Sequence, residues 1–307
     1  MNHYNLITIL GPTASGKTRL AAKVAHKLGS AVISADSRQV YRNMTIGTGK
    51  DYNDYIINGF KVQSYLVDIC DAGTKYNLFE YQRDFYKIFR ELESNGKIPV
   101  LCGGSGLYIE AAVKGYQLLN VPLNPDLRKK LEQKSDNELK EILASLSHLH
   151  NKTDIDTRKR TIRAIEIASF QKENKMQNIA IPVIKSLFIG LAFDRKVQKQ
   201  RITARLNERL KSGMIQEIEM LLNNGIDPDD LVYYGLEYKY ITLYLNGSLS
   251  YEEMVQKLEI AIHQFSKRQM TWFRKMEREG IQIHWLNPEE TDKLKVEKIL
   301  HLLEAEN

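Results

Sequence analysis

The chain has 307 residues, 43% of them hydrophobic and 27% charged, a balance that fits a folded globular protein of about two domains and excludes a disordered chain. A formal charge of +6 suits a polyanionic partner without naming one. No apolar run approaches the roughly 20 residues needed to span a bilayer, so a cytoplasmic protein with no membrane association is expected. Cys70 and Cys102 each follow a strand-like stretch and read as reduced core thiols.

Tyr4 to Leu10 is a short apolar run of strand type. It leads into Gly11-Pro12-Thr13-Ala14-Ser15-Gly16-Lys17-Thr18, which fits the pattern G-x-x-x-x-G-K-[ST]. Leu20, Ala21, Val24, Ala25 and Leu28 then recur at helical spacing. Strand, tight loop and helix in that order predict a phosphate-binding loop. Glycines let backbone N–H groups approach phosphate oxygens, the helix N-terminus adds its dipole, Lys17 brings a point charge, and the Thr18 hydroxyl can hold Mg²⁺. Ala31 to Ala35 reads as a second buried strand, ending at Asp36-Ser37-Arg38-Gln39-Val40-Tyr41. In an open parallel sheet that end faces the ligand crevice. A carboxylate there has two common uses, ordering Mg²⁺ through water or acting as a base.

Val62 to Ile69, Ile98 to Cys102, Leu187 to Phe193 and Ile281 to Leu286 are further strand candidates, separated by helical stretches. Alternating β and α predicts an α/β fold, a P-loop three-layer core with a parallel sheet. Between Gly115 and Ser186 the strand pattern gives way to charged helical segments. They predict a helical insertion over residues 116–185, inside a core made of 1–115 and 186–307. One helix of the insertion starts at Asn124-Pro125 and carries Leu127, Leu131, Leu139, Ile142 and Leu143; another carries Ile162, Ile165 and Phe170. The last long helix begins at Ser250, with Glu253 completing a capping box, and runs through Trp272 to near Gly280. Lys267, Thr271, Arg274 and Arg278 share one of its faces, a basic stripe that is either solvated surface or a contact for a polyanion.

The chain resembles the bacterial tRNA dimethylallyltransferases, and the motifs that carry the resemblance are spread over nearly its whole length. They are Gly11 to Thr18, Asp36-Ser37-Arg38-Gln39-Val40-Tyr41-Arg42, Ile46-Gly47-Thr48-Gly49-Lys50 and Gly103-Gly104-Ser105-Gly106-Leu107-Tyr108. Further on come Arg201-Ile202 with Arg205, Gly213-Met214-Ile215-Gln216-Glu217-Ile218, and Lys267-Arg268-Gln269-Met270-Thr271-Trp272-Phe273-Arg274. The family usually reads Thr-Ala-Lys where this chain has Thr48-Gly49-Lys50, and Gly-Gly-Thr where it has Gly103-Gly104-Ser105. Its Ile-x-Pro-Asn-Asp run is replaced by Lys152-Thr153-Asp154-Ile155-Asp156, and its Gly-Tyr-Lys/Arg-Glu by Gly235-Leu236-Glu237-Tyr238.

The resemblance implies transfer of a dimethylallyl group from dimethylallyl diphosphate to the exocyclic amine of the adenosine 3′-adjacent to the tRNA anticodon. Pyrophosphate would leave. The adenine amine must lose a proton as it attacks, and Asp36 is the candidate base. Gly11, Pro12, Thr13, Ala14, Ser15, Gly16, Lys17 and Thr18 would cradle the diphosphate, with Mg²⁺ on Thr18. Arg201 and Arg205, four residues apart on one helix, suit a clamp on its oxygens, Arg205 as a catalytic cation with Lys17 and Thr18. The resemblance sets Asp36, Ser37, Arg38, Gln39 and Ser105 against the target nucleotide. By their charge, Arg128 and the run Lys159, Arg160, Thr161, Ile162 and Arg163 of the insertion would grip the anticodon stem-loop, the other reading of Arg158, Lys159, Arg160 and Arg163 being a solvated helix face. Lys267, Arg268, Gln269, Thr271, Trp272 and Arg274 of the last helix would also face RNA. The expected partners are tRNA and dimethylallyl diphosphate, on a monomeric chain. Three other readings share the loop. A nucleotide or metabolite kinase would use Asp36 and Asp68 as metal carboxylates at strand ends; a prenyltransferase of free adenine nucleotides would lack the RNA surface; a non-catalytic RNA-binding module would use the loop as a nucleotide switch.

Overall fold

The computed structural model describes residues 4–146, 155–173 and 181–305. The Lys152-Thr153-Asp154 part of the divergent run lies outside the described residues. Two units are distinguished, residues 1–116 with 182–307 and residues 117–181.

The first unit opens with strand β1 (Leu6–Leu10) and helix α1 (Lys17–Lys27), followed by β2 (Val32–Ser34). Three two-residue strands come next, β3 (Ile56–Ile57), β4 (Phe60–Lys61) and β5 (Ser64–Tyr65), then α2 (Leu78–Ser94), β6 (Val100–Gly103) and α3 (Gly106–Val113). Strands β5-β2-β6-β1 continue into two later strands, β7 (Ser186–Leu191) and β8 (Ile283–Leu286), as one six-stranded sheet in the order β5-β2-β6-β1-β7-β8, parallel throughout. Ile9 of β1 sits level with Cys102 on one side and Ile189 on the other. Every residue of β1 is buried. Ile7 and Ile9 join Leu20, Val24, Ile299 and Leu303 in one apolar cluster, and the alternate residues Leu6, Thr8 and Leu10 fill the opposite face. Helices therefore cover both sides of the sheet, giving three layers.

The expected strand over Val62–Ile69 is reduced to Ser64–Tyr65. Leu66 and Asp68 take left-handed φ of 60° and 56°, which no strand continues through. β1 and β6 are the inner pair from which the chain leaves in opposite directions, β1 to β2 and β6 to β7. Such a switch point opens a crevice at the strands' carboxyl ends.

The insertion holds α4 (Pro125–Glu132), α5 (Asp136–Leu146) and α6 (Arg158–Glu173) around Leu131, Leu139, Leu143, Ile162, Ile165 and Ala168. The single helix expected from Asn124 to Leu143 is two. Asn124 caps the first by accepting from Leu127 N. Ser135 and Glu138 exchange hydrogen bonds that start the second. The core then resumes with α7 (Arg195–Lys211), α8 (Met214–Asn223), α9 (Pro228–Tyr233), α10 (Leu236–Leu245), α11 (Tyr251–Arg278) and α12 (Asp292–Ala305). α11 begins at Ser250 with the reciprocal Ser250–Glu253 cap.

Candidate active site

The Gly11–Thr18 loop leaves the end of β1 at the switch point. Ala14 and Gly16 adopt φ of 63° and 85°, the left-handed turns that curl its amides inward. A Cβ on Gly11 would overlap the Leu191 carbonyl. Helix α1 starts at Gly16 with no side-chain cap, so its first N–H groups face the loop's hollow. The buried Ser15 hydroxyl has no hydrogen-bond partner either. Free amides, a free hydroxyl and a positive helix end make a cradle for anionic oxygens.

The Lys17 ammonium reaches the Pro12 carbonyl at 3.3 Å. Burial pulls its proton affinity down; Cys102 and Asp36 pull it back up, and Arg205 lowers it further. Lys17, Asp36 and Arg205 thus share one electrostatic neighbourhood. Asp36 is partly exposed at the end of β2. Its carboxylate accepts from Arg38 N at 2.9 Å, an Asx turn that fixes its direction. Ser37, Arg38 and Gln39 are partly exposed beside it, and Ser105 is partly exposed at the start of α3. Gln39 donates to Gly49 O at 3.2 Å, tying this turn to the 44–50 loop.

Two remote helices hold the phosphate loop. Gln269 of α11 accepts from Thr13 N at 2.9 Å and donates to Gly104 O at 2.9 Å, linking the loops after β1 and β6. From α7, Gln198 donates to Thr13 O and Arg201 Nε to Ala14 O at 3.0 Å. The 44–50 loop has its own anchor. The Glu217 carboxylate accepts from the backbone N–H of Thr45, Ile46 and Gly47 at 2.7–3.0 Å and from Tyr238 OH at 2.8 Å.

These placements correct several expectations. Gln269 is buried and spent on the two loops, not turned to RNA. Trp272 donates to the Glu110 carboxylate at 3.0 Å and lies where a Cβ on Gly106 would be, so it packs the start of α3. Arg201 lies over the Phe193 ring and spends its Nε on the loop, a strut more than a clamp. In the insertion the Thr161 and Ile162 side chains are buried. Arg128 meets the buried Glu166 carboxylate fork to fork at 2.8 Å, and Arg163 meets the same carboxylate at 3.1 Å while donating to Val121 O at 2.7 Å. Both arginines are committed inside that unit. Lys159 and Arg160 are exposed, as are Lys267, Arg268, Thr271 and Arg274 on α11.

Asp68, the second carboxylate that a kinase reading needs, is occupied. It pairs with the buried Lys50 ammonium at 2.5 Å and accepts from Tyr52 OH at 2.7 Å. Three residues of the site lie outside every motif role assigned from sequence: Glu217, Arg209 and Glu237. Arg209 continues the four-residue spacing of Arg201 and Arg205 along α7, a signal the sequence carries. Glu237 lines one cavity with Thr13, Ala14, Ile202, Arg205, Leu206 and Arg209. Burial raises its carboxyl to about 7 against the pull of its own backbone N–H and of Arg205.

A phosphate loop at the switch point, a fixed carboxylate at the next strand end and an arginine lining one cavity with the loop define a P-loop protein. The family model for IPP transferase matches residues 39–276. The chain is 56% identical to tRNA dimethylallyltransferase 1 of Parabacteroides distasonis over 94% of each protein. It is 54% identical to tRNA dimethylallyltransferase 2 of Phocaeicola vulgatus over the whole of both. Among solved structures, the full-length tRNA isopentenylpyrophosphate transferase of Bacillus halodurans superposes with a TM-score of 0.71 at 29% identity, covering 98% of this chain and 96% of that one. A eukaryotic dimethylallyltransferase acting on tRNA shares the fold at 20% identity, with a TM-score of 0.71 over 92% of this chain and 73% of that one. The chain belongs to the IPP transferase family.

Proposed function

We propose that this chain is a tRNA dimethylallyltransferase that prenylates the exocyclic amine of the adenosine 3′-adjacent to the anticodon. The observation that carries the reading is that Asp36, just past the carboxyl end of β2, and Arg205, which lines one cavity with Thr13 and Ala14 of the phosphate loop, both act on the Lys17 ammonium. The names of the relatives at 54–57% identity support the substrate and the group transferred.

The phosphate loop, with the free Ser15 hydroxyl and the α1 amides, grips the diphosphate of dimethylallyl diphosphate. Lys17 and Arg205 stabilise the charge that grows on it as the allylic C1–O bond breaks. The adenine N6 forms the new bond to C1. Its proton passes to an Asp36 carboxylate oxygen, and pyrophosphate departs with the electron pair of the broken bond. An adenine must leave its stack to reach that carboxylate; Ser37, Arg38, Gln39 and Ser105 line its approach. Gln39 carries the donor and acceptor that an adenine edge needs.

Among the described residues no group of three His, Cys, Asp or Glu side chains could cage a metal. The donors at the loop fit Mg²⁺ all the same, because Mg²⁺ in phosphate sites keeps its waters and takes few protein ligands. Thr18 would hold it, and it would add positive charge at the leaving oxygens. The exposed Lys159, Arg160, Lys267, Arg268, Thr271 and Arg274 are the candidate contacts for the anticodon stem-loop. A monomer in the cytoplasm completes the reading; among the described residues no helix is long and apolar enough to cross a membrane.

Purified protein would be incubated with dimethylallyl diphosphate plus unmodified tRNA and, in parallel, with ATP plus nucleoside. Mass analysis of the digested RNA should show a dimethylallyl adenosine next to the anticodon in the first mixture alone. A phosphorylated product from the second, with unchanged tRNA in the first, overturns the reading.

A further inference from the structure

The face of α7 that presents Arg205 carries a second guanidinium, one helical turn further on, that the reaction as derived leaves without a task. The Nη2 atom of Arg209 is buried and meets no hydrogen-bond partner. A buried, charged donor without an acceptor is strongly unfavourable, and native proteins keep one where a ligand or water supplies the missing acceptor. Arg209 makes no ion pair among the described residues, whereas Arg205 has the exposed Asp51 at 3.7 Å.

The surroundings of Arg209 favour an anion. It lines the cavity that also contains Thr13 and Ala14 of the phosphate loop and Arg205. Gly49, in left-handed conformation at φ 70°, makes the room: a Cβ there would overlap the Nη2 atoms of Arg205 and Arg209 together. Two like charges therefore press side by side against one backbone position. Glu237 in the same cavity is a weak counter-charge, because its burial favours the neutral acid. Two neighbouring guanidinium groups, with one exposed carboxylate near Arg205 alone, suit a phosphate group with several free oxygens.

We propose that Arg209 is a second guanidinium ligand of the allylic diphosphate, acting beside Arg205 on the anion held by the phosphate loop, and that Gly49 is the residue that admits it. This rests on the diphosphate reading of the loop. Charge builds on the leaving oxygens as the allylic bond breaks, so Arg209 strengthens the grip on the transition state more than on the bound substrate.

Inorganic pyrophosphate would be titrated calorimetrically into the full-length wild type and into Arg209→Gln, Arg209→Lys, Gly49→Ala, the Arg209→Gln/Gly49→Ala double variant and Lys17→Ala. Thermal melts would verify folding, and tRNA would be titrated into each protein. Arg209→Gln should weaken pyrophosphate at least tenfold, with Arg209→Lys in between and tRNA affinity unchanged. Gly49→Ala should weaken pyrophosphate by more than Arg209→Gln, because the added Cβ displaces the Arg205 guanidinium along with that of Arg209, and in the double variant the two losses should fall short of their sum because the Arg209 contact is lost only once. The proposal is overturned if Arg209→Gln binds pyrophosphate like the wild type while Lys17→Ala does not. It is overturned equally if tRNA affinity falls in place of pyrophosphate affinity, which makes Arg209 an RNA ligand, or if the Gly49 and Arg209 losses add in full. If Lys17→Ala also binds pyrophosphate normally, it is the diphosphate reading of the loop that fails.

Discussion

Arginines are prominent in both the crevice at the end of the sheet and the helical insertion, but they are held in opposite ways. In the insertion, Arg128 and Arg163 converge on one buried carboxylate, Glu166, and Arg158 closes the end of α4 by donating to the Glu132 carbonyl at 2.8 Å and pairing with Asp136 at 2.6 Å. Their charge is answered inside the fold. In the crevice, Lys17 and Arg209 have no carboxylate partner among the described residues, and Arg205 has one at 3.7 Å, exposed to solvent. Charge left unanswered at the mouth of a parallel sheet is available to a ligand, whereas charge answered by a buried carboxylate is part of the scaffold.

The sharpest way to break this contrast is at Asp36. Asp36→Asn should lower the single-turnover rate by about two to four orders of magnitude, the range for a lost general base, while pyrophosphate and tRNA still bind. A near-normal rate would leave the carboxylate a positioning group for Arg38. Next, Lys17→Ala and Arg205→Ala should each cost about 10²–10³ in turnover through the leaving group, with tRNA affinity kept.

The insertion should respond in stability, not chemistry. Burial alone would raise the Glu166 carboxyl; hydrogen bonds from Arg128, Asn124 N–H and Arg163 override it and hold it at about 2. Its folded value lies below the unfolded one, so its contribution is present above about pH 4.5 and lost as pH falls towards 2. Glu166→Gln leaves two arginines short of a counter-charge and should destabilise this unit by about 3 kcal/mol at neutral pH, read by urea unfolding. Glu237 runs the other way. Its folded value of about 7 lies above the unfolded one, so stability falls as pH rises from about 4.5 to 7. Glu237→Gln should remove that fall, gaining up to about 3 kcal/mol above pH 7 and nothing at pH 4. A melt series with parallel pH dependence in wild type and variant would contradict it. The smallest effect is at the surface. Arg160→Ala and Arg274→Ala should each lower the log–log salt slope of tRNA binding by about one, while Arg163→Ala leaves the slope and costs stability.

The same contrast explains what could be read from the amino-acid order. The phosphate loop is a local backbone pattern, and everything it needs to curl lies within Gly11 to Thr18; the six sheet strands were likewise visible as apolar runs, except that nothing in Val62–Ile69 announced the left-handed Leu66 and Asp68. Side-chain roles set by distant partners were not visible. Arg128 reads as a contact for the anticodon stem-loop until Glu166, 38 residues away, folds against it, and Gln269 reads as an RNA-facing residue of the last helix until both ends of its amide are found between two loops. Arg209 was legible by spacing but not by purpose, since Gly49 comes from another part of the chain.

The Gln269 amide has a consequence for how the molecule comes into being. It must accept at one end, from Thr13 N, and donate at the other, to Gly104 O, and the Thr13 bond joins positions 256 residues apart. During synthesis the phosphate loop is among the first segments to leave the ribosome, yet the side chain that fixes it against the neighbouring strand end arrives only with the last long helix. Contacts of such separation form late in folding. The nascent protein therefore stays without a finished anion cradle until nearly all of it has been made, and a chain interrupted before α11 carries the signature motif with only the Gln198 and Arg201 bonds of α7 to hold it.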